Sequence, residues 1–374
     1  MRNAFACVSY GKDERMKAWM LHDINNIKYE EIDIPVLRDG EVLVKVKAAG
    51  ICGSDIPRIY RDGAHQMPLI PGHEFSGEVV QIGRWVDKEW LHKRVGVYPL
   101  IPCHDCESCR AGYFEMCKNY SYLGSRQNGG FAEYVAVPVC NLIALPDTVT
   151  YEQAAMLEPM AVAVHAIRQV SPAQTNTVVV YGLGTIGLLL TMFLMEKGIE
   201  DILVIGNKAS QKEMIKSMGI LEEFYCDSSL ENTIDWIYKK TNSHGADVVF
   251  ECVGKNETIS NAIELLAPKG RLCTVGNPHS DMLLEKKIYW KILRNQLTIV
   301  GTWNSAFFHS IHNSDEYGAY GEAIDWEYVL QKLEEKRVVP ERLVSHRFSF
   351  DKLEQGLEIM RDKLEEYIKI CIVS

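Results

Sequence analysis

From Met16 to about Pro146 the chain alternates between apolar and polar positions in short runs. Val42, Val44, Val46 and Ala48 alternate with Leu43, Lys45 and Lys47. This period of two predicts a strand with its polar groups mainly on one face. Gly77–Gly83, Arg94–Leu100 and Phe131–Val137 read as further strands, punctuated by turn signals at Pro71-Gly72 and Asn128-Gly129-Gly130. No stretch here predicts a helix longer than a turn or two, so the segment reads as an irregular, barrel-like β domain. Near Pro159 the pattern changes. Thr177–Tyr181 (TVVVY) predicts a short buried strand, and the apolar run Ile186–Met195 a helix that stops before Gly198. Strands at Ile202–Ile205, Asp247–Phe250, Arg271–Val275 and Leu297–Val300 alternate with helical stretches such as Gln211–Met218. That alternation implies a parallel, doubly wound sheet. After about Thr302 it breaks off into two helices, near Glu322–Lys336 and Asp351–Arg361, and a last strand, Tyr367–Val373. These complete the first domain, with the second inserted in it. The expected division is residues 1–160 (with a cysteine lobe at 102–118), 161–303 and 304–374.

Size supports more than one core, since 374 residues exceed one ordinary domain. The chain is 47% hydrophobic and 24% charged, as soluble globular proteins are. A formal net charge of -10 argues against general nucleic-acid binding and against an anionic membrane surface. No apolar run has the length of a transmembrane helix. Met1 to Arg15 precede what reads as a natural start at Met16-Lys17-Ala18, and are expected to be an extension or alternative start rather than a targeting signal. The 11 cysteines are odd in number in a long chain, which does not suggest a disulfide framework. A cytoplasmic location is expected.

Three groups of residues carry chemistry. Cys52, Asp55, His73 and Glu74 lie within one loop-like span, and thiolate, imidazole and carboxylate are the donors of a catalytic zinc. A further carboxylate, Glu158 in Leu157-Glu158-Pro159, sits where the two patterns meet; either it or Glu74 could complete that shell. Cys103, Cys106, Cys109 and Cys117 form C-x2-C-x2-C-x7-C, four thiolates able to close a structural zinc site. An iron–sulfur cluster is the rival, but the last spacing departs from the common ferredoxin run. Gly182-Leu183-Gly184-Thr185-Ile186-Gly187 matches G-x-G-x-x-G between a strand and a helix, the context of a dinucleotide-binding turn. About twenty positions further on, an acid would ordinarily hold the adenine ribose. Gly206-Asn207-Lys208 stands there instead, so NADP is expected over NAD.

Cys52-Gly-Ser-Asp55, Gly72-His-Glu74, the cysteine quartet, Leu157-Glu-Pro159 and the glycine loop, in this order, resemble the zinc-dependent medium-chain dehydrogenase/reductase family. The resemblance covers nearly the whole chain from Met16 and leans to the members acting on polyol phosphates, with free-polyol enzymes next. It implies a GroES-like β-barrel catalytic domain split around a Rossmann domain, two zinc ions per chain and a homodimer or homotetramer. It also implies that Cys52, His73 and Glu158 hold the catalytic zinc, with Glu74 close enough to exchange a place. Asp55 matches the acid that orients the ligand histidine, and Ser54 the hydroxyl that relays the substrate proton. Relatives of the polyol-phosphate type usually carry the acid that Gly206 replaces. A phosphorylated substrate would need cations, and Arg58, His65, Arg126 and Lys287 or Arg294 are candidates by position. The expected activity is hydride transfer between a secondary alcohol of a polyol or polyol phosphate and NAD(P). The alternatives are a dehydrogenase of a free polyol or other secondary alcohol and, from another class, a non-catalytic nucleotide-binding protein. The intact Cys52, His73, Glu74 and Glu158 speak against the last.

Overall fold

The computed structural model describes residues 14–278, 280–308 and 324–374. The expected N-terminal extension therefore lies, but for Glu14 and Arg15, outside the described residues, and so do the first two positions of the helix expected near Glu322. The contacts gather the chain into two units: Met1–Glu158 with Phe307–Glu322 and Pro340–Ser374, and Pro159–Ala306 with Ala323–Val339.

The first unit is built on the strand Glu41–Ile51. It pairs antiparallel with Glu74–Ile82, Tyr134–Pro138 and Lys369–Val373, so residues far apart in sequence meet along it. Register shifts between Leu43 and Val44 and between Val46 and Ala48 let one strand serve several neighbours, as bulges bend a strand away from a flat ladder. Val344–Ser349, Arg94–Val97 and Leu142–Ala144 extend the sheet to seven strands, and the residues Arg15–Asp23 and Asn26–Asp33 form a separate hairpin. Val42, Val44, Val46, Phe75, Val79, Val95, Phe131 and Ile372 share one buried core with Leu21 and Leu357.

The second unit holds a six-stranded, all-parallel sheet. Its order runs Tyr225–Asp227, Asp201–Gly206, Thr177–Tyr181, Ala246–Glu251, Leu266–Thr274, Thr298–Gly301. Val178, Val179 and Val180 are fully buried, which is what a run buried on both faces requires in a sheet covered by crossover helices. The sheet reverses its order beside Thr177–Tyr181, and ligands of open parallel sheets bind at that switch point.

Candidate active site

The strand Glu41–Ile51 ends into Cys52, and the chain then turns into the short helix Asp55–Tyr60. Two reciprocal bonds tie that turn: the Asp55 amide donates to the Cys52 carbonyl, and the Cys52 amide donates to Asp55 Oδ2, each at 3.0 Å. Asp55 is fully buried. Its Oδ1 accepts from Arg58 at 2.5 Å and lies 3.4 Å from His73 Nδ1. Burial works to raise the Asp55 carboxyl, but His73, Arg58 and the Cys52 amide hold it below the usual range. Burial likewise works to lower His73, while Asp55 and Cys52 hold it well above its ordinary value. Asp55 is thus a buried carboxylate set against the imidazole, the arrangement that fixes a ligand histidine's orientation. Ser54 Oγ donates to Cys52 Sγ at 3.3 Å.

His73 immediately precedes the next strand, Glu74–Ile82, where Glu74 faces Gly50 across the ladder. The donor atoms of Cys52, His73 and Glu74 all lie within 4.8 Å of one another. One soft and two harder donors at that spacing, with both His73 and Glu74 buried, fit a zinc ion. Glu158 stands beside this trio, not in it. Its Oε1 accepts from the Tyr122 hydroxyl at 3.2 Å. Burial pushes its carboxyl up to about 7, opposed by His73 and reinforced by Glu74. Tyr122, whose ring lies 5.8 Å from that of His73, is pushed well above its usual value by burial and by Glu158.

Two members of this cluster escape sequence reasoning. Tyr122 lies in a two-residue strand with no local pattern to mark it. Lys369 is buried in the last strand, bonded to Glu74 and donating to the Ile51 carbonyl at 3.1 Å. A lone cation ahead of the apolar run Ile370–Val373 was the available signal.

The cations proposed for substrate fall into two groups. Burial lowers the His65 pKa, and Arg126 and Arg58 add to it. Arg126 lies over the Tyr120 ring at 4.6 Å, and its Nε has no hydrogen-bond partner among the described residues. Arg58 is engaged by Asp55. Lys287 and Arg294 lie on the helix Lys286–Asn295 of the second unit, the first 3.4 Å from Glu285 and the second over the Trp290 ring.

The donor atoms of Cys103, Cys106, Cys109 and Cys117 also lie within 4.8 Å of one another. Cys106 and Cys109 sulfurs are 3.6 Å apart, too far for a disulfide, and every described cysteine is free. The backbone amides of Cys109 and Lys118 pull the Cys106 thiol down to about 6.

In the second unit, Thr177–Tyr181 leads through Gly182 into the helix Thr185–Glu196. Gly182 takes φ +100°, a left-handed conformation that favours glycine. A Cβ on Gly187 would stand 1.9 Å from the Gly182 carbonyl oxygen, so helix and turn touch backbone to backbone. A Cβ on Gly184 would meet nothing within 4 Å, which leaves the helix N-terminus open to a close-lying anion. Thr185 and Ile186 form the first turn, whose amides point out of the helix start. This cradle fits a dinucleotide pyrophosphate. Gly206 ends the second strand, Asn207 is exposed and Lys208 precedes the next helix.

Comparison with known proteins agrees with this arrangement. Residues 38–147 match the alcohol dehydrogenase GroES-like domain and residues 185–318 the zinc-binding dehydrogenase domain. Galactitol 1-phosphate 5-dehydrogenase of Escherichia coli K12 is 32% identical over 332 residues, covering 88% of this chain and 92% of that one. The chain belongs to the zinc-dependent medium-chain dehydrogenase/reductase family. Another relative in this family, the sorbitol dehydrogenase of Bacillus subtilis 168, is 27% identical over 365 residues, 96% of this chain and 97% of that one. Two solved structures share the fold. A zinc-binding dehydrogenase of Sinorhizobium meliloti 1021 bound to NADP has a TM-score of 0.85 at 26% identity (97% of this chain, 100% of that one). An alcohol dehydrogenase of Escherichia coli CFT073 complexed with NADH has 0.84 at 25% (96% and 99%). The expected GroES-like and Rossmann architecture is therefore the architecture of the chain, and the protein is an oxidoreductase of the alcohol and polyol dehydrogenase type.

Proposed function

We propose that the chain oxidises a secondary alcohol of a polyol phosphate, and reduces the matching ketose phosphate, with NADP as the hydride carrier. The observation that carries the substrate class is the grouping of His65 and Arg126 beside Arg58, which itself is bonded to the Asp55 that faces His73. Two positive side chains within electrostatic reach of a histidine suit a dianionic phosphate. Cys52, His73 and either Glu74 or Glu158 would hold the catalytic zinc, and the four lobe cysteines a structural one. Zinc in the first site would polarise the substrate hydroxyl. The nicotinamide would carry the hydride chemistry. The protein's own part is positional. Asp55 orients His73, Ser54 offers a hydroxyl beside Cys52 for the departing proton, and Tyr122 holds Glu158. Asn207 and Lys208, with no acid at Gly206, suit a ribose 2′-phosphate.

Following reduced-nicotinamide absorbance with polyols, their phosphates and ketose phosphates tests the proposal. Turnover is expected with a phosphorylated substrate, and Arg126→Ala is expected to raise its KM by about tenfold while leaving kcat nearly unchanged. An unchanged KM would remove Arg126 from the site. A second reading, oxidation of a free polyol, is favoured by the engagement of Arg58 with Asp55, which leaves fewer cations for a phosphate. Equal kcat/KM for a polyol and its phosphate would support that reading.

We also propose a homodimer through the strand Thr298–Gly301. It lies at the edge of its sheet with Ile299 exposed, next to exposed Trp303 and Leu293. An apolar sheet edge of this kind is a template for pairing with a second copy. Sedimentation is expected to show a dimer that Ile299→Lys dissociates; a wild-type monomer at micromolar concentration would end the proposal.

A further inference from the structure

We infer that Gln211 fills the place an acidic side chain at position 206 would need, and so excludes the acid acceptor that NAD-selective sites offer the adenine ribose. This rests on the NADP reading above and names the residue that enforces it. A Cβ added to Gly206 would stand 2.8 Å from Gln211 Oε1, and 3.1 Å from both Leu183 Cδ1 and Tyr225 Cε2. A Cβ essentially never stands as close to another heavy atom as the first of these distances, so residue 206 and Gln211 compete for one space. Gly206 does not owe its identity to a positive φ; crowding alone sets it.

Gln211 is not free to leave. It is buried, and its Oε1 accepts the Asn207 amide at 3.0 Å. It occupies the third position of the helix Ala209–Ser217, from which a glutamine reaches back to the amides ahead of its own helix. Moving it would strand both a buried carboxamide and the Asn207 N–H, the kind of loss that outweighs making one bond elsewhere. The Gly206 carbonyl is fixed as well, accepting from the Ser228 amide at 2.8 Å and its hydroxyl at 3.1 Å. Asp227, opposite Gly206 on the next strand, does not substitute for the missing acid. Its Oδ1 accepts from the Ser229 amide at 2.9 Å and hydroxyl at 2.5 Å. The strand end is therefore built to stay small at 206 and to present Asn207 from a held backbone.

The test is a cycle of Gly206→Asp, Gln211→Ala and the double variant, read by melting temperature and by calorimetric binding of NAD+ and NADP+. Gly206→Asp alone is expected to melt lower than the wild type and to bind neither nucleotide well. Adding Gln211→Ala is expected to recover the melting temperature and to shift the ratio of dissociation constants towards NAD+ by about tenfold. Gly206→Ala with and without Gln211→Ala is the milder pair, and the same recovery is expected should Gly206→Asp fail to fold. If Gly206→Asp alone is as stable as the wild type and changes preference as far as the double variant, Gln211 is not the obstacle. The wild-type titration judges the NADP reading by itself: tighter NAD+ binding ends that reading, while the non-additivity of the cycle still decides the role of Gln211.

Discussion

Replacing Lys369 with Met is expected to destabilise the first unit by about 3–5 kcal/mol, the usual consequence of removing one partner of a buried ion pair. Lys369 and Glu74 are both almost inaccessible, and the Lys369 ammonium is bonded to Glu74 and the Ile51 carbonyl. Burial alone would lower Lys369, yet Glu74 and Cys52 raise it, so it stays charged. Methionine has similar length and fills the space, which isolates the charge from the packing. Glu74 would then be a buried carboxylate without its cation. The melting temperature is expected to fall by about 10 °C, since each kcal/mol moves a unit of this size by a few degrees. The fall is expected to be larger after chelation than with zinc, because a divalent ion beside Glu74 supplies part of the missing charge. Glu74→Gln added to Lys369→Met is expected to recover part of the loss. An unchanged melting temperature in chelated Lys369→Met would refute the account.

That pair also shows where a sequence stops speaking. The apolar run of the last strand and the alternation of Val42 to Ala48 are each readable as strands. Their pairing, Ile370 to Ile51 and Val373 to Ala48, is a non-local choice, and together with the equally non-local pairing of Gly50 to Glu74 it brings Lys369 to Glu74. Tyr122 meets Glu158 for the same reason. Arg58 is the opposite case. Its partner Asp55 lies three residues back on the same helix, a spacing at which side chains meet, so this pair is legible in the sequence.

Local structure divides similarly. Thr177–Tyr181 and the glycine turn declare themselves because burial on both faces and tight turns leave strong residue preferences. The helix Leu157–Val170 does not. It is buried almost all round, so its few polar residues mark only a thin stripe, and Pro159 looks like a break although a proline near a helix start breaks no intrahelical bond. The strand Leu266–Thr274 starts five residues before the expected Arg271. Pro268-Lys269-Gly270 reads as a turn, and Lys269 does take φ +63°; the strand tolerates it through a register shift between Ala246 and Val248 on its partner.

Replacing Cys52 with Ala is expected to lower kcat/KM by about a thousandfold or more, and to lower the zinc content from the two ions per chain proposed above to one. The first figure follows from losing Lewis-acid stabilisation worth several kcal/mol, at 1.36 kcal/mol for each factor of ten. The second follows from the separation of the two donor sets in sequence and in composition. Cys103, Cys106, Cys109 and Cys117 offer four sulfurs within 4.8 Å of one another and no space in the set for substrate, whereas Cys52, His73 and Glu74 offer mixed donors. Cys52 is only half-buried and its Sγ accepts a bond from Ser54, so alanine leaves no buried charge and the fold is expected to persist. Elemental analysis, circular dichroism and nucleotide binding on the same sample separate the outcomes. One zinc retained, an unchanged spectrum and intact nucleotide binding with activity lost assign the thiolate to the catalytic ion. Two zinc ions retained in Cys52→Ala would show that Glu158, Glu74 and His73 suffice to hold it, and that the thiolate is not a ligand the site depends on.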